Sequence, residues 1–95
     1  MSSKPVVSHN AAEHQFEIPT GEGTAVLTYR MVGGAIEFVH TAVPTALEGQ
    51  GYGTALARAA LEHARDLHLT VIPTCPFVRD FMKRHPEFDN LRAPG

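Results

Sequence analysis

The sequence predicts a single small α+β domain, an antiparallel strand meander followed by helix, strand and helix. Three observations carry this reading. Up to Pro44, short runs alternate apolar and polar positions and are broken by turn residues, the period of strands with one buried face. From Leu56 onward the apolar positions recur at helical spacing. At 95 residues, 43% of them hydrophobic, the chain has material for one core and none for a second domain.

The elements follow in order. Residues 1–5 are polar and end in proline, so they are expected to fray. "VVSHN" is a short apolar run closed by the turn-favouring Asn10. In "HQFEIP", Phe16 and Ile18 share one face and Gln15 and Glu17 the other, which predicts a strand. After the turn "TGEG", Ala25, Leu27, Tyr29 and Met31 alternate with Val26, Thr28, Arg30 and Val32. Gly33 and Gly34 signal a hairpin turn. The next run places Ile36, Phe38 and His40 opposite Glu37, Val39 and Thr41, and Pro44 ends it. This makes three or four antiparallel strands. Leu56, Ala60, Ala64 and Leu67 then form a stripe on a helix over about 51–67. "TVIPT" is a short buried strand. In "PFVRDFMKRH", Pro76 suits the first helical position, Phe77 and Phe81 lie one turn apart, as do Val78 and Met82, and Pro86 ends the helix.

Composition narrows the function classes. Eight basic and ten acidic residues leave a net charge of −2, so there is no broad electrostatic footprint for nucleic acid, and the aromatics are not interleaved with a basic stripe. One cysteine, Cys75, rules out an internal disulfide framework and a multi-cysteine zinc site. The histidines His9, His14, His40, His63, His68 and His85 show no ligand-like spacing, and His63 and His68 do not share a helix face, so no metal is expected. No apolar run approaches membrane-spanning length and the first ten residues lack an apolar signal core; the expectation is a cytoplasmic protein without membrane partners.

"LEGQGYGTAL" places Gly49, Gly51 and Gly53 immediately before the long helix. A helix start exposes N–H groups without internal partners and carries partial positive charge. No Ser, Thr, Asp or Asn stands directly before this helix as a cap, which suits an anion, phosphate above all. The alternative is a glycine-rich turn joining Pro44 to the helix. A Walker loop is absent, and Thr54 stands where a dinucleotide fingerprint needs its third glycine.

Gln50-x-x-Gly53-x-Ala55, between a strand and an amphipathic helix, resembles the pyrophosphate-binding signature of the GNAT superfamily of N-acetyltransferases. "FVHTAVPTALEGQGYGTALARAALEHAR" and "VIPTCPFVRDFMKRHPEF" are together similar to its very small YjdJ-type subfamily, from about Val6 to Leu91. The resemblance implies a minimal GNAT-like fold in which acetyl-CoA lies in a wedge between splayed parallel strands, here 36–43 and 70–74. It implies pantetheine amides on the strand end His40, Thr41, Ala42 and Val43. The pyrophosphate would rest on N–H groups of Gln50, Gly51, Tyr52, Gly53 and Thr54, leading into Ala55. A bulky residue at Gly53 is then expected to harm binding more than Gln50→Ala. Lys83 and Arg84 could reach the CoA phosphates or form a solvated face that complements the helix C-terminus.

Cys75, where strand meets helix, has its sulfur near a helix start, a position that favours thiolate. By the resemblance it lies near the acetyl thioester. It could accept the acyl group, line the pocket, or be a buried structural cysteine. No tyrosine follows Tyr52 to protonate the departing thiolate, a role many larger relatives give to tyrosine. His40 could take the proton of an attacking amine, or pack beside Phe38 and bond the backbone. The family's usual helices after the first strand have no room in "VVSHNAAEHQFEI". The acceptor side is therefore expected to be shallow and open or completed by another chain, which permits a protein lysine or N-terminal amine. Two functions stay open: acetyl transfer to an amine, and a coenzyme A-binding module without transfer chemistry.

Overall fold

A computed structural model describes residues 5–94; of the N-terminal stretch expected to fray, residues 1–4 lie outside the described residues. The strands are β1 (Ser8–Asn10), β2 (Gln15–Thr20), β3 (Gly23–Val32), β4 (Ala35–Ala42) and β5 (Thr70–Pro73), and the helices are α1 (Tyr52–Asp66) and α2 (Pro76–Arg84). Single 3-10 segments occupy Ala11–Glu13, Thr45–Leu47 and Pro86–Leu91. The sheet order is β1-β2-β3-β4-β5. The first four strands form an antiparallel meander, and β5 joins β4 in parallel after the crossover through α1. The α+β mixed fold read from the sequence is the observed one.

One sheet face is covered. Phe16, Ile18, Ala25, Leu27, Ile36, Phe38 and Val71 meet Leu56, Ala57, Ala60, Leu61 and Ala64 of α1 and Val78, Phe81 and Met82 of α2 in one core. The three alanines on α1 let its backbone approach the sheet closely, so a narrow stripe suffices to seat a 15-residue helix. Leu67, expected on that stripe, lies past the last helical residue and is exposed. The outer edge of β5 is covered where the Ala93 N–H donates to the Val71 carbonyl.

The alternation predicted for β4 fails at one point. Tyr29 pairs with Phe38, but the preceding Thr28 pairs with His40, so Val39 is an extra residue in β4. Such a bulge reverses the facing of everything beyond it. Thr41, opposite the buried Leu27, turns toward the core side, while Val39 and His40 are both exposed. The expected grouping of His40 with Phe38 is therefore corrected: Thr41 takes that face.

The three-residue β1 is anchored by His9. Its ring stacks on Phe16 at 4.4 Å, meets His63 of α1 edge-on at 4.6 Å, and its Nε2 lies 2.7 Å from the Tyr29 hydroxyl. His63 is thus a packing partner of His9. His9 is largely exposed, but partial desolvation of its ring against Phe16 and Tyr29, and then the nearby His63, hold its pKa below the ordinary imidazole value, so the folded state favours it neutral. A depressed folded pKa gives stability that is present above the unfolded value, about 6.5, and is lost as pH falls through the folded one. The melting temperature is expected to drop on going from pH 7 to pH 5, and to drop less in His9→Phe; equal slopes in the two proteins would refute this anchoring.

Candidate functional site

The last rungs between β4 and β5 define the site. Their pairing ends at Phe38 and Pro73, and the Cys75 N–H then donates to the Phe38 carbonyl at 2.8 Å. On its other edge β4 stays paired with β3 as far as Ala42. The β4 edge from Val39 to Ala42 is consequently without a strand partner on the β5 side, because β5 turns away into α2 at Pro76. Arg79 holds that turn: its Nη2 donates to the Thr74 carbonyl at 3.0 Å and its Nε to the Pro73 carbonyl at 3.4 Å. These bonds satisfy carbonyls that the ended strand leaves behind.

A cleft of ≈ 340 Å³ opens at this splay, lined by Thr41, Val43, Leu47, Glu48, Gly49, Gly51, Tyr52, Gly53, Thr54 and Phe77. Its walls are largely apolar, and its outer rim is the start of α1. Gly51 occupies the cap position with no side-chain bond to the helix, and the first helical bond runs from the Ala55 N–H to the Gly51 carbonyl at 3.0 Å. Among the described residues, the N–H groups of Gly49 through Thr54 have no protein acceptor. Unpaired N–H groups at the positive end of a helix make a rim whose electrostatics suit an anion.

The three glycines turn out to serve two purposes. Gly49 and Gly51 have φ of +80° and +87°, a left-handed conformation that other residues adopt at a cost, and a Cβ there would meet nothing. Gly53 has ordinary helical backbone but is buried, and a Cβ on it would stand 2.8 Å from Cζ of Phe77. Its bareness is thus required by the packing of α1 on α2, a reason additional to the ligand approach expected from the motif.

The expected site residues separate into two groups. Thr41, Val43, Gly51, Tyr52, Gly53 and Thr54 come together on the cleft. Ala55 lines a neighbouring cavity that shares Gly51 and Thr54 with it and adds Arg58. The side chain of Gln50 turns back to donate to the Ala46 carbonyl at 3.3 Å, leaving only its backbone for the cleft. Ala42 and His40 are exposed, and the bulge aims His40 at the uncovered sheet face. Lys83 and Arg84 lie in the last turn of α2, at the end opposite Phe77, six residues and roughly 9 Å of helical rise from it. There they complement the helix C-terminus. Leu47, Glu48 and Phe77 line the cleft without having been singled out for it, and Gly49, one of the three glycines before the helix, joins them. For Phe77 a signal existed: Phe77, Val78, Phe81 and Met82 are too many apolar residues for a narrow stripe, and Phe77 is the one left 38% exposed.

Cys75 is 2% exposed and packed in the core, with its Sγ 3.3 Å from Oγ1 of Thr41. Thr41 therefore stands between the sulfur and the cleft. On the uncovered face, Glu37 accepts hydrogen bonds from Thr74 and from Arg30 Nε at 2.6 Å, which hold its carboxyl below the usual carboxylate range. Among the described residues no group of three or more His, Cys, Asp or Glu converges as metal ligands, and no helix is long and apolar enough to cross a membrane.

Comparison with known proteins adds independent findings. Residues 15–91 match the family model of the GCN5-related N-acetyl-transferases. The chain is 35% identical over 83 residues to Protein NATD1 of Bos taurus, covering 84% of this chain and 74% of that protein. Against Protein NATD1 of Xenopus tropicalis it is 32% identical over 88 residues, covering 90% and 81%. The NMR solution structure of a GCN5-like protein from Staphylococcus aureus superposes with a TM-score of 0.74 at 30% identity, covering 99% of this chain and 93% of that one.

The Gly53–Phe77 contact yields a direct test. Gly53→Ala is expected to destabilise the protein by about 1–3 kcal/mol through overpacking. Most of that loss should vanish when the same change is made in a Phe77→Ala background, as read by urea denaturation in a double-mutant cycle. Additive effects would place the reason for glycine elsewhere.

Proposed function

Because this chain belongs to the GCN5-related N-acetyltransferase family, we propose that it binds acetyl-CoA in the cleft between β4 and the start of α1 and transfers the acetyl group to an amine. One observation carries the reading: the unsatisfied N–H groups from Gly49 to Thr54 rim a cleft whose inner wall is a strand edge without a partner. The pyrophosphate would rest on those N–H groups, with the Thr54 hydroxyl beside them. The pantetheine arm would run along the strand end from His40 to Val43, adding to the sheet as a strand would. Val43, Leu47, Tyr52 and Phe77 offer apolar cover for it.

The side of attack follows from what is already occupied. A thioester on the β4 edge has Phe77 and Cys75 on its helix side, so the amine would come from the uncovered sheet face. His40 stands on that face at the end of the splay and would take the proton the amine loses. The amine nitrogen would attack the thioester carbonyl carbon as the carbon–sulfur bond breaks, His40 taking the proton the nitrogen loses and the departing coenzyme thiolate drawing one from solvent. The burial of Cys75 behind Thr41 favours this direct route over an acyl-cysteine intermediate. An uncovered sheet face fits a large acceptor, a protein lysine or N-terminal amine. The minimal YjdJ-type assignment belongs to the same proposal, supported by the single 3-10 turn that joins β1 to β2. A coenzyme A-binding module without transfer is the second reading, favoured by the lack of any tyrosine after Tyr52.

Mass spectrometry with acetyl-CoA tests both. A cofactor-sized adduct is expected under native conditions and should disappear on denaturation, with an acetylated peptide amine appearing over time. Binding without any acetylated amine would favour the module. An acetyl increment that survives denaturation and is lost in Cys75→Ala would replace the direct route by a covalent one. No adduct at millimolar cofactor would return the glycines to being a turn. Gly51→Asp, which brings a carboxylate to the rim, should weaken binding about tenfold or more through repulsion of the phosphates. Gln50→Ala should change it about twofold at most, because that side chain is engaged with Ala46.

A further inference from the structure

The cleft has a built inner end. Its lining runs from the rim at Gly49 and Gly51 past Val43 to Thr41, the one β4 residue that lines it. Behind Thr41 there is no space. Cys75 Sγ lies 3.3 Å from the threonine hydroxyl and is 2% exposed, and Phe38, whose carbonyl takes the Cys75 N–H, is fully buried. The Cys75 N–H bond to Phe38 fixes the cysteine, so its sulfur stays packed behind Thr41. Protein interiors packed this way yield little to a side chain or ligand that needs more room.

The bulge determines what stands there. In a regular β4 the residue facing inward after Phe38 would be His40, whose imidazole would fill the inner end. The extra residue at Val39 brings in Thr41 instead, which is smaller by several heavy atoms. Space for a short group is thereby left in front of the threonine, and space for a long one is not.

On the reading that acetyl-CoA enters with its phosphates at the rim, the acyl group is the part that reaches this end. We infer that Thr41, backed by Cys75, is a stop that sets the length of acyl chain the cleft accepts, admitting acetyl and excluding a four-carbon acyl group. Thr41 is a specificity residue in this scheme, and Cys75 positions it. One methylene more or less in an apolar pocket changes discrimination about 10- to 200-fold, so two methylenes against a fixed wall are ample.

The test compares binding of coenzyme A, acetyl-CoA and butyryl-CoA, by calorimetry, to the wild type, Thr41→Ala and Cys75→Ala, with thermal melts confirming that each variant folds. The wild type is expected to bind butyryl-CoA at least about tenfold more weakly than acetyl-CoA. Thr41→Ala should reduce that ratio to about threefold or less, and Cys75→Ala should reduce it in the same direction by a smaller factor. If Thr41→Ala does not fold, Thr41→Ser, which removes one methyl, reads the same ratio. The ratio is the informative quantity, because a general loosening of the protein weakens both ligands alike. Equal wild-type affinity for the two thioesters, or an unchanged ratio in folded Thr41 variants, overturns the stop while leaving the cofactor reading intact. Failure of the wild type to bind coenzyme A itself overturns the cofactor reading and the stop with it.

Discussion

The backbone bond from the Cys75 N–H to the Phe38 carbonyl is where the sheet stops being a sheet. Up to that rung β4 and β5 share a parallel ladder; beyond it β4 continues with β3 alone while β5 bends into α2. Everything distinctive about the molecule depends on this parting. It leaves a strand edge bare, and bare edges are normally paired, covered or blunted. Here the edge is enclosed by the start of α1, the first turn of α2 and the loop between β4 and α1, so it faces a cleft. The turn that ends β5 is itself held by Arg79 on the Pro73 and Thr74 carbonyls and by Thr74 on Glu37, which keeps the parting at one fixed place.

Around that parting, local backbone irregularities do the work usually assigned to side chains. The bulge at Val39 exchanges a histidine for a threonine on the inner face without any change of composition. Gly49 and Gly51 take the left-handed backbone of the turn at the cleft rim, and Gly53 lets Phe77 sit against the helix start.

Much of the fold was legible. Strand alternation in residues 15–32 and the stripe on α1 follow from which side chains can share one core, and that pattern is local. The Gln50-x-x-Gly53-x-Ala55 motif likewise pointed to the helix start that now rims the cleft. What misled was the assumption of unbroken period: His40 was placed beside Phe38 because nothing in "FVHTA" announces an extra residue. A second reason for glycine at position 53, the Phe77 ring that excludes a side chain there, was not legible because it lies 24 positions away in sequence. Lys83 and Arg84 were candidates for phosphate contact, yet α2 meets the cleft with its first turn and carries them at its last.

By itself, then, the sequence determined the α+β order, the core stripes and the helix start without a cap, because each depends on near neighbours along the chain. Only the tertiary structure decided which side chains face the cleft, where β4 and β5 separate, and that Cys75 lies behind Thr41. Those outcomes depend on register between strands distant in sequence and on steric exclusion across the core, and neither leaves a periodic mark on the chain.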